Sequence, residues 1–308
     1  MNRVAIMGET PAQLVWGRFR HHTLAVVSAL VLVALAVAVL LAPVFEMSMG
    51  LDANTVDLFN RFRAPTSGHP LGTDELGRDL FLRLLYGGRV SLLVGLVAAL
   101  FATVIGTAVG LTAGYFGGRM DAFLMRVTDG VISLPLLPLL IVLAAIDLSK
   151  LGLPGTITES ESASLYRIIA IVALAGWTTV ARLVRASTLS IKQRTFVMAA
   201  VAQGGGPIRI MSVHILPNLA STIIVATTLA AGNIILLESV LSFLGLGIQP
   251  PLPSWGNLLT NAQEMIWEAP LQAFYPGVLI FATVIAFNFL GDGLQDALDP
   301  RATEDRVD

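Results

Sequence analysis

Chemistry needs nucleophiles, acid–base groups or metal ligands at workable spacings, and this 308-residue chain offers few of them. A loop that cradles phosphates, GxxxxGK[ST], ends on a lysine that reaches them. The only lysines are Lys150 and Lys192, neither after a glycine, so ATP hydrolysis by this chain is not expected. HExxH and GxSxG are absent too, which leaves a zinc protease or a serine hydrolase without support. There is no cysteine, so disulfides and thiolate metal sites are excluded. Of the four histidines, His21 and His22 adjoin each other in an N-terminal tail, and a His-rich metal site is not expected. The GDG at 291–293, with Asp296 and Asp299, lacks the alternating ligand spacing of a calcium loop and reads as an interfacial helix end. No catalytic residue and no metal ligand is therefore assigned.

What remains are ionisable groups within apolar runs, where charge is costly enough to demand a purpose. Glu238 stands in GNIILLESVLSFLG with Asn233. Both are candidates for the lining of a pathway or an outer gate, with helix packing or an interfacial position as the equal alternative for Glu238. Asp129 follows Arg126 by one helical turn, a spacing at which the two neutralise each other near the inner interface.

Such groups can only be positioned by membrane helices. Of all residues 55% are hydrophobic and 13% charged, with a mean hydropathy of +0.77, far from the balance of a soluble domain. A net charge of -2 with no gathered Lys/Arg patch argues against a nucleic-acid partner. A spanning helix needs about 20 mostly apolar residues. Six segments meet or approach this: 23–45, 90–115, 123–146, 165–184, 220–241 and 273–290. The first follows a polar lead and is too long for a signal peptide, so it reads as an uncleaved anchor. In the fourth, Arg167 and Arg182 must snorkel to opposite interfaces. With both termini inside, 12 basic residues face the cytoplasm and seven face out, the favoured orientation. Several of the outer ones sit beside acids, as in GTDELGRD at 72–79, where an amphipathic segment would neutralise them locally.

Gly106, Gly110, Gly114 and Gly118 form three overlapping GxxxG steps on the second span, a face that another helix can approach closely. Close static packing is the simpler reading; a pivot for a moving gate is the other. The loop 247–259, GIQPPLPSWGNLL, reads as rigid turns with Trp255 as an anchor at the outer interface. Between the fourth and fifth spans lies FVMAAVAQGGGPIRIMSVHILPN, 196–218. Phe196, Ala199, Ala200 and Gln203 fall on one helical face with a small centre. Gly204, Gly205 and Gly206 stop that helix, Pro207 opens a second short one, and Pro217 turns the chain into the fifth span. The product is a short surface helix on the cytoplasmic side, shaped for docking.

AAVAQG followed by HILP resembles the EAA motif of ATP-binding-cassette importer permeases, EAA-x3-G-x9-I-x-LP. Ala199, Ala200, Gly204, Leu216 and Pro217 fit; Met198 replaces the glutamate and His214 the isoleucine. HPLGTDELGRDLFLRLLYGGRVSLLVG, GYFGGRMD, LSFLGLGIQPPLPSWG and FNFLGDGLQDALDPR, in that order, are similar to the second permease subunit of the dipeptide/oligopeptide binding-protein-dependent transport family. The resemblance implies an all-α type I importer permease fold with six transmembrane helices and a cytoplasmic coupling helix, multi-pass in the bacterial inner membrane. It implies residues 1–22 as a cytoplasmic segment, 23–45 as the first helix and 46–87 as an external or interfacial segment. A five-helix permease domain at 88–292 and a cytoplasmic tail at 293–308 follow. Implied partners are a paralogous permease, two ATPase subunits that bind ATP and magnesium, and an extracytoplasmic solute-binding protein. Phe196, Ala199, Ala200, Gln203, Gly204, Arg209, His214 and Pro217 would engage the ATPase. Cargo would be di- or oligopeptides, with glutathione, nickel complexes, opines or sugars carried by relatives. From the residues alone, a stand-alone ion-coupled carrier is the alternative.

Overall fold

The computed structural model describes residues 11–146 and 162–298. Lys150 and Asp299, named above, and Arg3, Arg301 and Arg306, counted among the 12 basic residues expected to face the cytoplasm, lie outside the described residues. Among those described the chain is all-helical, with a single isolated bridge between Thr73 and Asp79. The elements that matter are α1 (Pro11–His21), α2 (Thr23–Leu40), α3 (Ala42–Met49), α4 (Leu80–Phe116), α5 (Gly118–Ser133), α6 (Leu136–Ala145), α7 (Ala163–Lys192), α8 (Thr195–Ala202), α9 (Ala220–Phe243) and α10 (Pro270–Leu298). Helices α2, α4, α7, α9 and α10 are long and apolar enough to cross a membrane.

The third expected span, 123–146, is broken: α5 and α6 meet at a bend of 85°, and the pair together is apolar enough to count as one span. Proline supplies the reason. It has no N–H to donate, and its ring pushes the preceding residue out of the helical region. Leu134, before Pro135, accordingly sits at φ -76, ψ 138. The first span also stops short, at Leu41, and resumes as α3 with Pro43 in its first turn before Gly50 ends it at φ +64. His22 is no free tail; its Nδ1 accepts the Ala25 N–H at 3.2 Å and caps α2.

The glycine row fixes the central pair. A Cβ on Gly106 would lie 2.6 Å from the Trp177 carbonyl, one on Gly110 2.9 Å from Val184 Cβ, and one on Gly114 2.7 Å from Thr188 Cβ. The numbering rises together on both helices, so α4 and α7 run parallel in backbone contact. Lipid gives no hydrophobic drive for helices to associate, so close approach at small residues supplies it instead. Gly118 is a correction: it leaves this face, and Gly117 and Gly118, at φ +66 and +51, turn the chain from α4 into α5.

Helix α9 lies antiparallel to α4, with Thr103 Oγ1 and Thr227 Oγ1 3.0 Å apart and Gly95 beneath Ile235. Helix α10 is antiparallel to α9, where a Cβ on Gly232 would meet Phe287 Cβ at 3.1 Å and one on Gly291 a Leu229 methyl at 2.6 Å. Gly293 packs on Ala25 and His22 of α2. The GDG lies in the last two turns of α10, its glycines seating neighbouring helices.

These pairings sort the loops to two ends of the bundle. Segment 193–219 shares one end with α1, the start of α2 and the close of α10, where His22 Nε2 and Asp296 Oδ2 are 3.6 Å apart. Lys192 Nζ donates to the Tyr115 carbonyl at that same end, joining the ends of α7 and α4. Segments 50–79 and 244–269 occupy the opposite end.

Candidate functional site

At the first end the docking segment has local causes. Helix α8 closes in a Schellman motif: Gly204 N–H bonds the Val201 carbonyl at 2.9 Å and Gly205 N–H the Ala200 carbonyl at 3.0 Å. This places Gly204 at φ +82, where a side chain is strained. Pro207 then starts a single turn, which runs through the π-helical turn Ile210–Ile215 and the 3-10 turn Leu216–Leu219 into α9. Pro217 has no N–H to continue an α pattern, and Asn218 Nδ2 takes the His214 carbonyl at 2.7 Å instead.

Four apolar side chains, Val197, Ile210, Ile215 and Leu219, root this segment against Val180 and Val184 of α7. Only Val197 anchors α8 itself. Phe196, Met198, Val201 and Ile208 are exposed, Ile208 to 79%. Ala199, Gln203, Gly204, Arg209 and Pro217 are exposed with them, while Ala200 and His214 are half-buried. The face expected from the sequence is therefore present, but the open apolar surface extends round the helix to Met198 and Val201. Their signal was readable, since a short helix apolar on all sides is one that is buried against something.

On α5 and α7 the ion pairing differs from expectation. Asp129 accepts from Arg182 Nη2 at 2.6 Å rather than pairing with Arg126. Asp121 takes both Nε and Nη2 of Arg185, the latter at 2.6 Å. Two acids two turns apart on one helix face two arginines on an antiparallel neighbour, so a cross-helix partner outcompetes the local one. The Asp129–Arg182 pair is about half exposed. Charged groups in a span turn to protein or to water-filled space rather than to lipid. Sequence reasoning missed this polar face.

The opposite end is built otherwise. Glu238 is fully buried, its carboxylate accepting Ser91 Oγ at 3.1 Å and Ser242 Oγ at 2.7 Å. Those hydroxyls in turn accept the backbone N–H of Trp255 and of Ile248, each at 3.1 Å. The carboxylate thus ties α4, α9 and the 244–262 loop together, while Asn233 is exposed elsewhere on α9. Trp255 corrects another expectation: it is wholly buried, its Nε1–H on the Leu84 carbonyl at 2.9 Å, and not an interfacial anchor. A Cβ on Gly88 would touch its ring at 2.6 Å, so that glycine makes room for it. Nearby, Asp79 caps α4 by accepting the Leu82 N–H at 2.8 Å, and Asp74 holds Arg78 Nε at 2.7 Å. Among the described residues no group of three or more His, Asp or Glu side chains could hold a metal ion.

The family described as "Binding-protein-dependent transport system inner membrane component" matches residues 106–304. The "N-terminal TM domain of oligopeptide transport permease C" matches residues 10–64. The oligopeptide transport system permease protein of Bacillus subtilis (strain 168) is 35% identical over 284 residues, 92% of this chain and 88% of that protein. A dipeptide transport system permease protein of Alkalihalophilus pseudofirmus is 37% identical over 292 residues, 95% of this chain and 90% of that one. The nickel transport system permease protein of Escherichia coli (strain K12) is 36% identical over 271 residues, 88% and 93% respectively.

Proposed function

The chain belongs to the family of binding-protein-dependent transport system inner membrane components, and from that premise we propose that it is the peptide-conducting permease subunit of an ATP-driven importer. In this reading it pairs with a paralogous permease, receives cargo from a solute-binding protein and is driven by two ATPase subunits. The observation that carries the ATPase partner is the segment 195–219, which is held rigidly by its inner side chains and leaves Phe196, Met198, Val201 and Ile208 unpartnered. A groove on an ATPase that receives these groups could move the spans as semi-rigid bodies between two states. ATP acts only through contacts that differ between them. With Met198 at the acidic position of the motif, docking here is apolar, supplemented by Arg209, which has no ion-pair partner among the described residues.

Replacing Gly204 by valine, or Ile208 by aspartate, is expected to abolish uptake and lower ATPase co-purification while leaving membrane insertion intact. Normal uptake in both variants overturns the docking assignment. Both termini and this segment are proposed to face the cytoplasm. The cysteine-free sequence makes that simple to test with Phe59→Cys and Ile208→Cys and a membrane-impermeant maleimide. Only Phe59→Cys should react in intact spheroplasts; reaction of Ile208→Cys alone would invert the topology. Peptide cargo is supported by the relatives named for oligopeptide and dipeptide transport, and the ligand retained by the isolated cognate binding protein decides it. A nickel complex there would overturn peptide cargo and leave the importer role standing.

A further inference from the structure

At the end opposite the docking segment, the first turns of α4, the 72–79 loop and the 244–262 loop enclose a cavity of about 290 Å³. Arg83 lines it and is only 3% exposed, yet its Nε and Nη1 have no hydrogen-bond partner. The nearest acid, Asp74, is already taken. It accepts Arg78 Nε at 2.7 Å and the Leu76 and Arg78 backbone N–H groups at 2.9 Å. Arg83 Nε comes within 3.4 Å of its Oδ2 without hydrogen-bond alignment. A buried guanidinium with donors free is costly unless something brings acceptors to it, and its planar fork suits a carboxylate. Glu75 lines the same cavity and has no hydrogen-bond or ion-pair partner among the described residues. Arg83, ion-paired loosely with Asp74 but with donors unfilled, and Glu75 thus share one cavity wall.

The geometry points to a binding site for a small zwitterion, with Arg83 taking the carboxylate and Glu75 the ammonium group of an amino acid or the end of a short peptide. The volume is about ten waters' worth at roughly 30 Å³ each, enough for such a group and small for anything larger. The burial of Arg83, only 3% exposed, favours a small free solute over an acidic side chain on a docking protein. Gln272, whose Nε2 donates to the Thr73 carbonyl at 2.8 Å, pins the 72–79 loop to α10 and keeps the wall in place. The inference rests on the peptide reading above for its choice of probe.

The test uses the whole permease–ATPase complex in nanodiscs, without binding protein, and measures binding of dialanine, dialanine amide and N-acetyl-dialanine by saturation-transfer NMR. Dialanine is expected to bind at least tenfold more tightly than either blocked form. Arg83→Gln should erase the acid–amide difference and Glu75→Gln the amine–acetyl difference. Arg83→Lys, retaining the charge, should keep part of the acid preference and guards against mere misfolding. Equal binding of dialanine and its amide by the native complex overturns the site, as does an acid preference unchanged in Arg83→Gln. Loss of binding-protein capture in Arg83→Gln with unaltered dipeptide binding overturns it too, assigning the charge to docking. Dialanine uptake, measured in parallel, separates the two readings. Uptake without discrimination at the cavity defeats this inference alone, whereas discrimination without uptake of any peptide defeats the peptide cargo alone.

Discussion

The two ends of the bundle solve opposite problems. At the end with 193–219, polar groups are satisfied locally by a Schellman closure and a proline-forced turn, and apolar side chains point outward. At the other, polar groups are buried and bonded across long chain separations, 171 residues between Trp255 and Leu84 and 199 between Gln272 and Thr73. One surface leaves apolar side chains exposed; the other ties its loops together through buried polar groups. The difference teaches that exposure of apolar groups and burial of polar ones are each informative where they run against the usual pattern.

That contrast predicts a graded series, read as thermal unfolding of the solubilised complex. The largest loss is expected from Trp255→Ala, about 3–5 kcal/mol, because a buried indole and its hydrogen bond both go. A loss below about 1 kcal/mol would mean the 244–262 loop is not part of the stable core. Next comes Glu238→Ala, about 1–3 kcal/mol, from leaving the Ser91 and Ser242 hydroxyls unmatched. Glu238→Gln keeps an acceptor and should cost less; unchanged stability with altered uptake in that variant would give Glu238 a pathway role in addition to its tie. Gly204→Val should cost about 1–2 kcal/mol through its left-handed backbone, confined to the docking end. Asp129→Asn removes a half-exposed pair and should shift stability by about 0–1 kcal/mol. A much larger effect would show that α5 and α7 depend on it. Smallest of all is Ile208→Ser, within about 0.5 kcal/mol, with ATPase co-purification nonetheless lost. If it destabilised the complex as much as Trp255→Ala, the contrast between the ends would fail.

Much of the segment 195–219 was legible in the sequence because its causes are local. Three glycines and two prolines dictate a stop, a restart and a turn within a stretch of 23 residues, and the structure follows that order. The break at Leu134–Pro135 has an equally local cause, but the apolar run on either side masked it. Asp129 was assigned to Arg126 because sequence spacing shows only neighbours along one helix. Arg182 comes from α7, brought within 2.6 Å by packing that spacing cannot express. Trp255 likewise looked like an interfacial anchor, since an indole beside prolines near a span end fits that role until its loop is folded back onto α4.

By itself, then, the sequence determined that this is a polytopic helical membrane protein, roughly where its helices cross, which glycines admit a neighbour and where a short helical segment interrupts the spans. Run length, small-residue spacing and the backbone limits of glycine and proline act over a few turns and need no knowledge of distant residues. Only the tertiary structure decided which charges pair, that Glu238 is a buried tie among three segments, and that Arg83 and Glu75 line one cavity. Those outcomes depend on which helices run parallel and which loops fold back, and the free energy that selects them comes from contacts between residues far apart in the chain.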